Sequence, residues 1–341
     1  MKKLAFKIGS LVIVFALLYY VLNKIGFSEL YNNLKQADAV YILIAFGVTT
    51  LSFIVWNLRW YNIIIEIKRV GFWKIFPIFL SGVFINTVTP GARVGGEPIR
   101  AHFLAKKYKM SRSRAFATTI ADKIYNFIIF GMLVILSVIF VVLYVKIGLA
   151  LKIVLESLLA FVILVLIAIF LFHQKFHVKK QCKLKILLPI VYKAPFLKIK
   201  NKFKTYAAFQ AYGLKRLHRF LTTLKNSLSD RRKASKNLTL VSLFWLCLFL
   251  SMYFIFKGLG SDIGFIPVMI VVTLSVLLGD VAITPGGIGI IEAVMIALYY
   301  AFGITPAMAA AATVLNRVMY YFYALGLGAV SFCYLTLKKK W

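Results

Sequence analysis

The sequence predicts an all-α, polytopic helical membrane protein with about six full spans, two re-entrant helical hairpins and an inverted-topology internal repeat. Hydrophobic residues make up 62% of the 341 residues and charged residues only 15%, whereas soluble domains carry about 25% charged residues. Several apolar runs approach or exceed the ~17–25 residues that cross a bilayer. In addition, a Thr-Pro-Gly element with a glutamate shortly after it occurs twice, at residues 89–97 and 284–292.

The full spans are predicted from the long apolar runs, and their orientation follows from the positions of Lys and Arg. Lys2, Lys3 and Lys7 place the N-terminus in the cytoplasm, and the lysines at 338–340 place the C-terminus there too. We therefore expect a multi-pass protein of the cell membrane. The predicted spans are residues 4–22, 39–65, 115–145, 149–172, 238–256 and 306–337.

Two shorter apolar stretches are interrupted by the Thr-Pro-Gly elements. Basic residues flank the first unit (75–105) on both sides, but almost none flank the second (263–302). We expect the first hairpin to enter from the cytoplasm and the second from outside. Proline ends a helix and glycine permits a tight turn with positive φ. The predicted turn residues are Pro90, Gly91, Gly95, Gly96, Pro285, Gly286, Gly287 and Gly289.

An internal repeat relates the two hairpin units. Shifting the sequence by 195 residues aligns residues 89–131 with 284–326, and ten of these 43 positions are identical, including polar ones. A single transmembrane domain (1–341) is thus predicted to contain repeat 1 (about 39–145) and repeat 2 (about 238–337). Because the charges give the copies opposite orientations, the plan is that of many secondary transporters.

The net charge of +32 arises largely from the loop at residues 173–237, which holds 18 Lys and Arg against one acid, so we expect this loop to be cytoplasmic. No nucleic-acid-binding motif accompanies it, and no nucleic-acid partner is expected. Aromatic residues interleave with basic ones over 198–225, which predicts an amphipathic interfacial helix that attracts anionic lipid. A docking surface for a protein partner is the rival interpretation. The three cysteines lack metal spacing, and neither a metal nor a cofactor is predicted.

Charged residues within the apolar segments mark a candidate site, because a charge at the bilayer centre costs about 2.5–3.5 kcal/mol. Helix N-termini after the two turns would favour an anion, so with its arginines the first hairpin is predicted to bind phosphate. The alternative is that the Pro-Gly elements only shape the hairpins. The charged residues are Arg93, Glu97, Arg100, Asp122, Lys123, Asp280, Glu292 and Arg317.

Three further interpretations concern individual side chains. Asp122 and Arg317 occupy equivalent positions in the repeats, which suggests an ion pair across the pseudo-two-fold axis; local pairing of Asp122 with Lys123 or Arg114 is the alternative. Arg59 is interpreted as a snorkelling residue at a helix end. The tryptophans at 56, 60 and 73 are interpreted as an interfacial aromatic belt.

The paired motifs resemble a known family. Residues 89–100 with Asp122-Lys123, and residues 284–292 with Asn316-Arg317, resemble the lysylphosphatidylglycerol synthase transmembrane region, also called the flippase-like family. The resemblance covers about residues 5–335 and implies a lipid-translocating membrane domain. We expect no synthase domain, since the chain stops at Trp341 directly after the last predicted helix. Stand-alone members are associated with glycolipid and polyprenyl-lipid pathways.

Together these observations predict a transporter rather than an enzyme: a lipid flippase-like protein that moves a phospholipid or polyprenyl-phosphate-linked lipid between leaflets. A membrane-embedded transferase acting on a lipid carrier, or a non-transporting partner of a lipid- or glycan-synthesis enzyme, are the alternatives. The predicted substrate-binding residues are Arg93, Glu97, Arg100, Asp280 and Glu292. The predicted site-organising residues are Asp122, Lys123, Asn316 and Arg317.

Overall fold

The structure is a computed structural model that describes residues 27–89, 95–145, 205–282 and 284–337, with parts of the stretch 153–167. Within these ranges the chain is helical and contains no strand. The helices are α1 (Phe27–Lys35), α2 (Ala39–Ile65), α3 (Phe72–Val88), α4 (Gly96–Lys107), α5 (Arg112–Tyr144), α6 (Tyr206–Ser229), α7 (Arg231–Gly258), α8 (Phe265–Val281), α9 (Ile290–Ala301), α10 (Pro306–Tyr321) and α11 (Gly328–Leu337).

In the described part of the chain, four helical segments are long and apolar enough to cross a membrane: α2, α5, α7 and the continuous stretch Pro306–Leu337 that contains α10 and α11. They confirm the prediction of an all-α polytopic membrane protein. The predicted span at 4–22 lies outside the described residues, as does most of the span at 149–172. Helices α3 and α8 have 17 residues each, at the lower end of the ~17–25 residues that cross a bilayer. Each is followed by a 12-residue helix that packs against it.

Polar side chains define where the four long segments begin. Asp38 accepts a hydrogen bond from the backbone N–H of Val40 at 2.8 Å and starts α2. Asp230 accepts from the N–H groups of the second and third residues of α7, at 3.0 and 3.3 Å. Ser111 and Thr305 do the same for α5 and α10. Such N-caps satisfy donors that have no intrahelical partner, so these starts are encoded locally.

The two halves of the fold have matching elements. Helices α2 and α7 have 27 and 28 residues, α3 and α8 have 17 each, and α4 and α9 have 12 each. The closing segments, α5 and Pro306–Leu337, have 33 and 32 residues. Packing is reciprocal too, because α3 contacts α11 of the other half and α8 contacts α5.

The first helices of the halves lie side by side in opposite directions. At one end the N–H of Asp38 donates to the carbonyl oxygen of Gly258 at 2.7 Å. Further along, the Ser251 hydroxyl donates to the Ala45 carbonyl at 3.1 Å. At the other end Lys233 Nζ lies 3.5 Å from a carboxylate oxygen of Glu66. Residue numbers therefore fall along α7 as they rise along α2, which is the inverted arrangement that the repeat predicted.

The hairpin arms approach closely at glycines. A Cβ atom on Gly96 would overlap the carbonyl oxygen of Gly82, so α3 and α4 could not pack this way around a larger residue. In the second hairpin Gly286, Gly287 and Gly289 all have positive φ angles, between 60° and 85°, a region that favours glycine. A Cβ on Gly286 would lie 3.0 Å from the Thr87 carbonyl oxygen, so the tip of the second hairpin contacts the end of α3.

The predicted amphipathic helix of the basic loop is present as α6, although residues 198–204 lie outside the described ranges. It packs along α5, with Phe209 and Leu224 buried. The Tyr125 hydroxyl of α5 donates to the Ser227 carbonyl of α6 at 2.6 Å. Part of the apolar face of α6 thus contacts protein rather than lipid.

Candidate functional site

A cavity of about 200 Å³ lies between the two halves. Helices of both halves line it, and its wall contains charged side chains that the apolar segments bring together. This volume is below the ~300–1,000 Å³ of pockets for drug-sized ligands, and it suits a compact polar group rather than a whole lipid. The charged residues of the wall are Arg59, Glu97, Arg100, Asp122, Lys123, Asp280 and Arg317.

Asp122 is held by two arginines. The Arg59 Nε donates to one carboxylate oxygen at 2.5 Å, and both terminal nitrogens of Arg100 lie within 3.4 Å of the other oxygen. All three side chains are at most 4% exposed. The Arg100 guanidinium also lies 4.0 Å from the ring centroid of Trp60, a cation–π contact. Two cations thus share one acid, which leaves this cluster with positive charge.

The structure corrects the interpretation of Arg59 as a snorkelling residue. The side chain is 2% exposed, because α2 continues to Ile65 and places Arg59 inside the protein rather than at the helix end. The aromatic-belt interpretation fails in the same way for two tryptophans. Trp60 is fully buried and donates to Thr118 at 3.1 Å, and Trp56 lines the cavity. Trp73 is exposed.

The proposed ion pair between Asp122 and Arg317 is wrong. Asp122 binds Arg59 and Arg100 instead, because α2 and α4 both reach it. Arg317 binds Glu292, with 2.6 Å between its Nε and the nearer carboxylate oxygen. The local alternatives for Asp122, Lys123 and Arg114, are not its partners in the described residues either.

Glu97 lies in the first turn of α4 and faces the cavity. One carboxylate oxygen is 3.3 Å from Lys123 Nζ and 3.5 Å from Asn86 Nδ2. The Asn86 side-chain oxygen accepts from the Gly96 N–H at 2.6 Å, so this amide both caps α4 and orients Glu97. The other oxygen of Glu97 is buried and has no hydrogen-bond partner among the described residues.

Glu292 has the same position in the second hairpin. It lies in the first turn of α9, and its second oxygen accepts from the Gly289 N–H at 2.6 Å, as in a capping box. In both halves the hairpin glutamate therefore pairs with a cation of the following long helix, Lys123 in one and Arg317 in the other. The two glutamates of the internal repeat therefore have equivalent ion-pair partners.

Arg317 lines the cavity and has a buried donor that no described residue accepts. Its side chain is 11% exposed, and its terminal Nη2 is buried with no hydrogen-bond partner among the residues that the structure describes. A buried polar group left without a partner costs about 1–3 kcal/mol, and more when it is charged. The position therefore favours an acceptor, such as an anionic oxygen of a ligand or a water molecule.

Of the remaining predicted residues, some lie at the cavity or the hairpin turns, and others lie outside the described residues. Asp280, near the end of α8, and Asn316, in α10, both line the cavity. Gly95 precedes α4, and a short 3₁₀ turn spans Pro285–Gly287. Arg93, Pro90 and Gly91 lie outside the described residues.

Sequence reasoning did not single out three polar residues of the wall. Asn86 caps α4, Asn126 accepts from Arg59 Nη1 at 3.1 Å, and the Tyr320 hydroxyl lies 3.3 Å from that of Thr87. Asn86 and Asn126 are amides within long apolar runs. Such an amide must find a partner inside the protein, and this signal was available in the sequence.

Comparison with known proteins places the chain in a family. The family model described as the lysylphosphatidylglycerol synthase TM region matches residues 7–328. A UPF0104 membrane protein of Methanothermobacter thermautotrophicus is 30% identical over 314 residues, which cover 91% of this chain and 90% of that protein. A UPF0104 membrane protein of Pyrococcus horikoshii is 27% identical over 332 residues, covering 97% and 96%. The cavity with its paired hairpins is thus a feature of a chain that belongs to the lysylphosphatidylglycerol synthase TM region family.

Proposed function

We propose that this protein is a lipid flippase-like transporter of the cell membrane, with both termini in the cytoplasm, that moves a phosphate-bearing lipid between leaflets. The lipid is a phospholipid or a polyprenyl-phosphate-linked lipid, and its headgroup passes through the cavity between the two halves. The observation that carries the proposal is the charged cavity between antiparallel halves, each with a broken hairpin. Secondary transporters bind substrate at such a repeat interface.

The depth of the site supports this proposal. Asp122 lies ten residues after Arg112, the first residue of α5, and Arg317 lies eleven after Pro306, the first of α10. At 1.5 Å per residue each is about 15 Å from its helix start, half of a hydrocarbon core of about 30 Å. A charged cavity at that depth offers a headgroup polar contacts where the bilayer has none.

Phosphate binding is assigned first to Arg317. The terminal nitrogens of the predicted residue Arg100 bind Asp122, its guanidinium lies over the Trp60 ring, and only its Nε has no partner among the described residues. Arg317 pairs with Glu292, but its terminal Nη2 has no hydrogen-bond partner among the described residues, and an anionic oxygen would satisfy it. A role for Arg93 stays a prediction.

Glu97 is assigned to bind the hydroxyl or ammonium group of the headgroup. One of its oxygens has no hydrogen-bond partner among the described residues and could accept a hydrogen bond from a hydroxyl or ammonium group of the same lipid. Glu97 comes from the first half and Arg317 from the second. A headgroup that contacts both would therefore be released when one half rocks against the other.

Translocation of a fluorescent phospholipid in proteoliposomes tests the proposal. We expect Arg317→Gln and Glu97→Gln each to lower the translocation rate at least tenfold, while a labelled lipid without phosphate is not moved by any form. The matched control is Lys257→Gln, which removes a charge that is not among those lining the cavity. Lys257 Nζ donates to Asp262 at 2.6 Å, and this hydrogen bond lowers the pKa of the exposed Asp262 carboxyl. Covalent product formation, or wild-type rates in both cavity variants, would contradict transport through this site.

A further inference from the structure

A second, separate groove of about 560 Å³ lies between α4, the start of α5 and α6. It does not share any residue with the cavity between the halves. Arg112 and Ser113 are the first residues of the 33-residue apolar helix α5, so the groove lies where that helix enters the membrane. It is therefore positioned at the lipid–water boundary.

The wall of the groove has an apolar and a basic part. Pro98, Ala101, Phe116, Leu217 and Phe220 form the apolar part, and the Phe116 and Phe220 rings lie 6.0 Å apart. The basic part consists of Arg112 and Arg216, and His102 adds a polar ring beside them. No acidic residue is among the described residues that line the groove. Its charge complements an anion, and its apolar wall complements hydrocarbon.

Arg216 is held in place rather than mobile on the surface. Its Nε donates to the Ser113 hydroxyl at 3.2 Å, and its Nη1 donates to the Tyr212 hydroxyl at 2.7 Å. The guanidinium also lies 5.1 Å from the Tyr212 ring centroid. These contacts use Nε and Nη1, and no hydrogen bond of Nη2 is found among the described residues. Nη2 can therefore form charge-assisted hydrogen bonds with phosphate. The bond to Ser113 also joins α6 to the start of α5.

We propose that this groove binds one anionic membrane phospholipid, with its phosphate on Arg112 and Arg216 and an acyl chain along Phe116 and Phe220. A soluble anion would use only the basic part, whereas the groove also offers apolar wall at the membrane edge. The bound lipid would connect the basic helix α6 to α4, the second arm of the first hairpin. This inference is independent of the proposed transport, because it concerns a site where a lipid stays bound.

Native mass spectrometry of the full-length protein in detergent tests the groove, with phosphatidylglycerol and phosphatidylcholine as probes. We expect the wild type to retain more phosphatidylglycerol than phosphatidylcholine. In the double variant Arg112→Gln, Arg216→Gln the ratio of the two bound lipids should fall by about tenfold, because each basic residue near the surface adds to the attraction of anionic lipid. Arg112→Lys with Arg216→Lys, which keeps the charge, should retain most of it. The matched control, Arg232→Gln with Lys236→Gln, removes two exposed charges of α7 outside the groove and should bind as the wild type does.

Two results would overturn this assignment. One is an unchanged phosphatidylglycerol preference in the Arg112→Gln, Arg216→Gln variant. The other is displacement of the lipid by glycerol phosphate at the concentration at which phosphatidylglycerol itself displaces it, which would identify a site for a soluble anion.

Discussion

At the residue scale, the site is organised by carboxylates that bring cations from different helices together. Asp122 receives one arginine from α2 and one from α4. Breaking a buried pair by removing one partner costs about 3–5 kcal/mol, because the other charge is left uncompensated. Loss of Asp122 would therefore leave two buried guanidiniums uncompensated. Glu97 and Arg317 are among the cavity residues that have a buried polar atom without a hydrogen-bond partner in the described part of the chain.

A double-mutant cycle distinguishes the observed pairing from the one expected from repeat symmetry. We expect the effects of Glu292→Gln and Arg317→Gln on the free energy of unfolding to be non-additive by about 1–3 kcal/mol, because the side chains are in contact. For Asp122→Asn combined with Arg317→Gln the effects should add within about 0.5 kcal/mol. Denaturant unfolding in detergent measures both; strong coupling only in the second pair would contradict the structure.

Part of this site could be predicted from the sequence. Glu97, Asp122, Asp280, Lys123 and Arg317 were singled out because charge is rare in apolar segments, and all of them line the cavity. Their partners were not predictable in the same way. Arg59 is 63 residues from Asp122 in sequence, and whether a charge near a helix end points to water or to a partner depends on how α2 and α5 pack.

At the element scale, the hairpins depend on glycines for close contact between their arms. Gly96 faces the backbone of Gly82 in the first hairpin, and the glycines at the second tip have positive φ. The Thr-Pro-Gly motif predicted the break in each helix. The π-helical turn that follows α10 at Phe322–Leu327 was not predicted. Such turns are frequent at functional sites. The sequence does not predict one, because the spacing of apolar residues that identifies a helix does not show where a single turn contains an extra residue.

A pair of glycine substitutions tests the close approach. We expect Gly96→Ala to destabilise the protein by about 1–3 kcal/mol, because the new Cβ overlaps the Gly82 carbonyl oxygen and overpacking has costs of this size. Gly47→Ala is the control, since no atom lies within 4 Å of its Cβ position. In a helix interior that change should be neutral or slightly stabilising. Thermal unfolding of the two variants measures this, and equal melting temperatures would count against the hairpin packing.

At the scale of the whole molecule, two halves with matching helices run in opposite directions and enclose the cavity between them. Charge counting and an ungapped repeat predicted this plan, because each half carries its own caps, breaks and turn glycines. The identity of the contacting helices could not be predicted. Helix α2 packs on α7, and each hairpin packs on the closing segment of the other half. These pairings depend on the fit between apolar helix faces, and such faces resemble one another in composition.

The central claim is that a lipid headgroup passes through the cavity, and filling the cavity tests it most directly. Leu248 lines the cavity, whereas Leu246 on the same helix is 42% exposed on the outside. In a background without Cys182, Cys247 and Cys333, each leucine is replaced by cysteine and modified with a bulky thiol reagent, with completeness verified by mass spectrometry. Modified Leu248→Cys protein should lose phospholipid translocation in proteoliposomes, while modified Leu246→Cys protein should retain it. Undiminished translocation by fully modified Leu248→Cys protein would contradict the account.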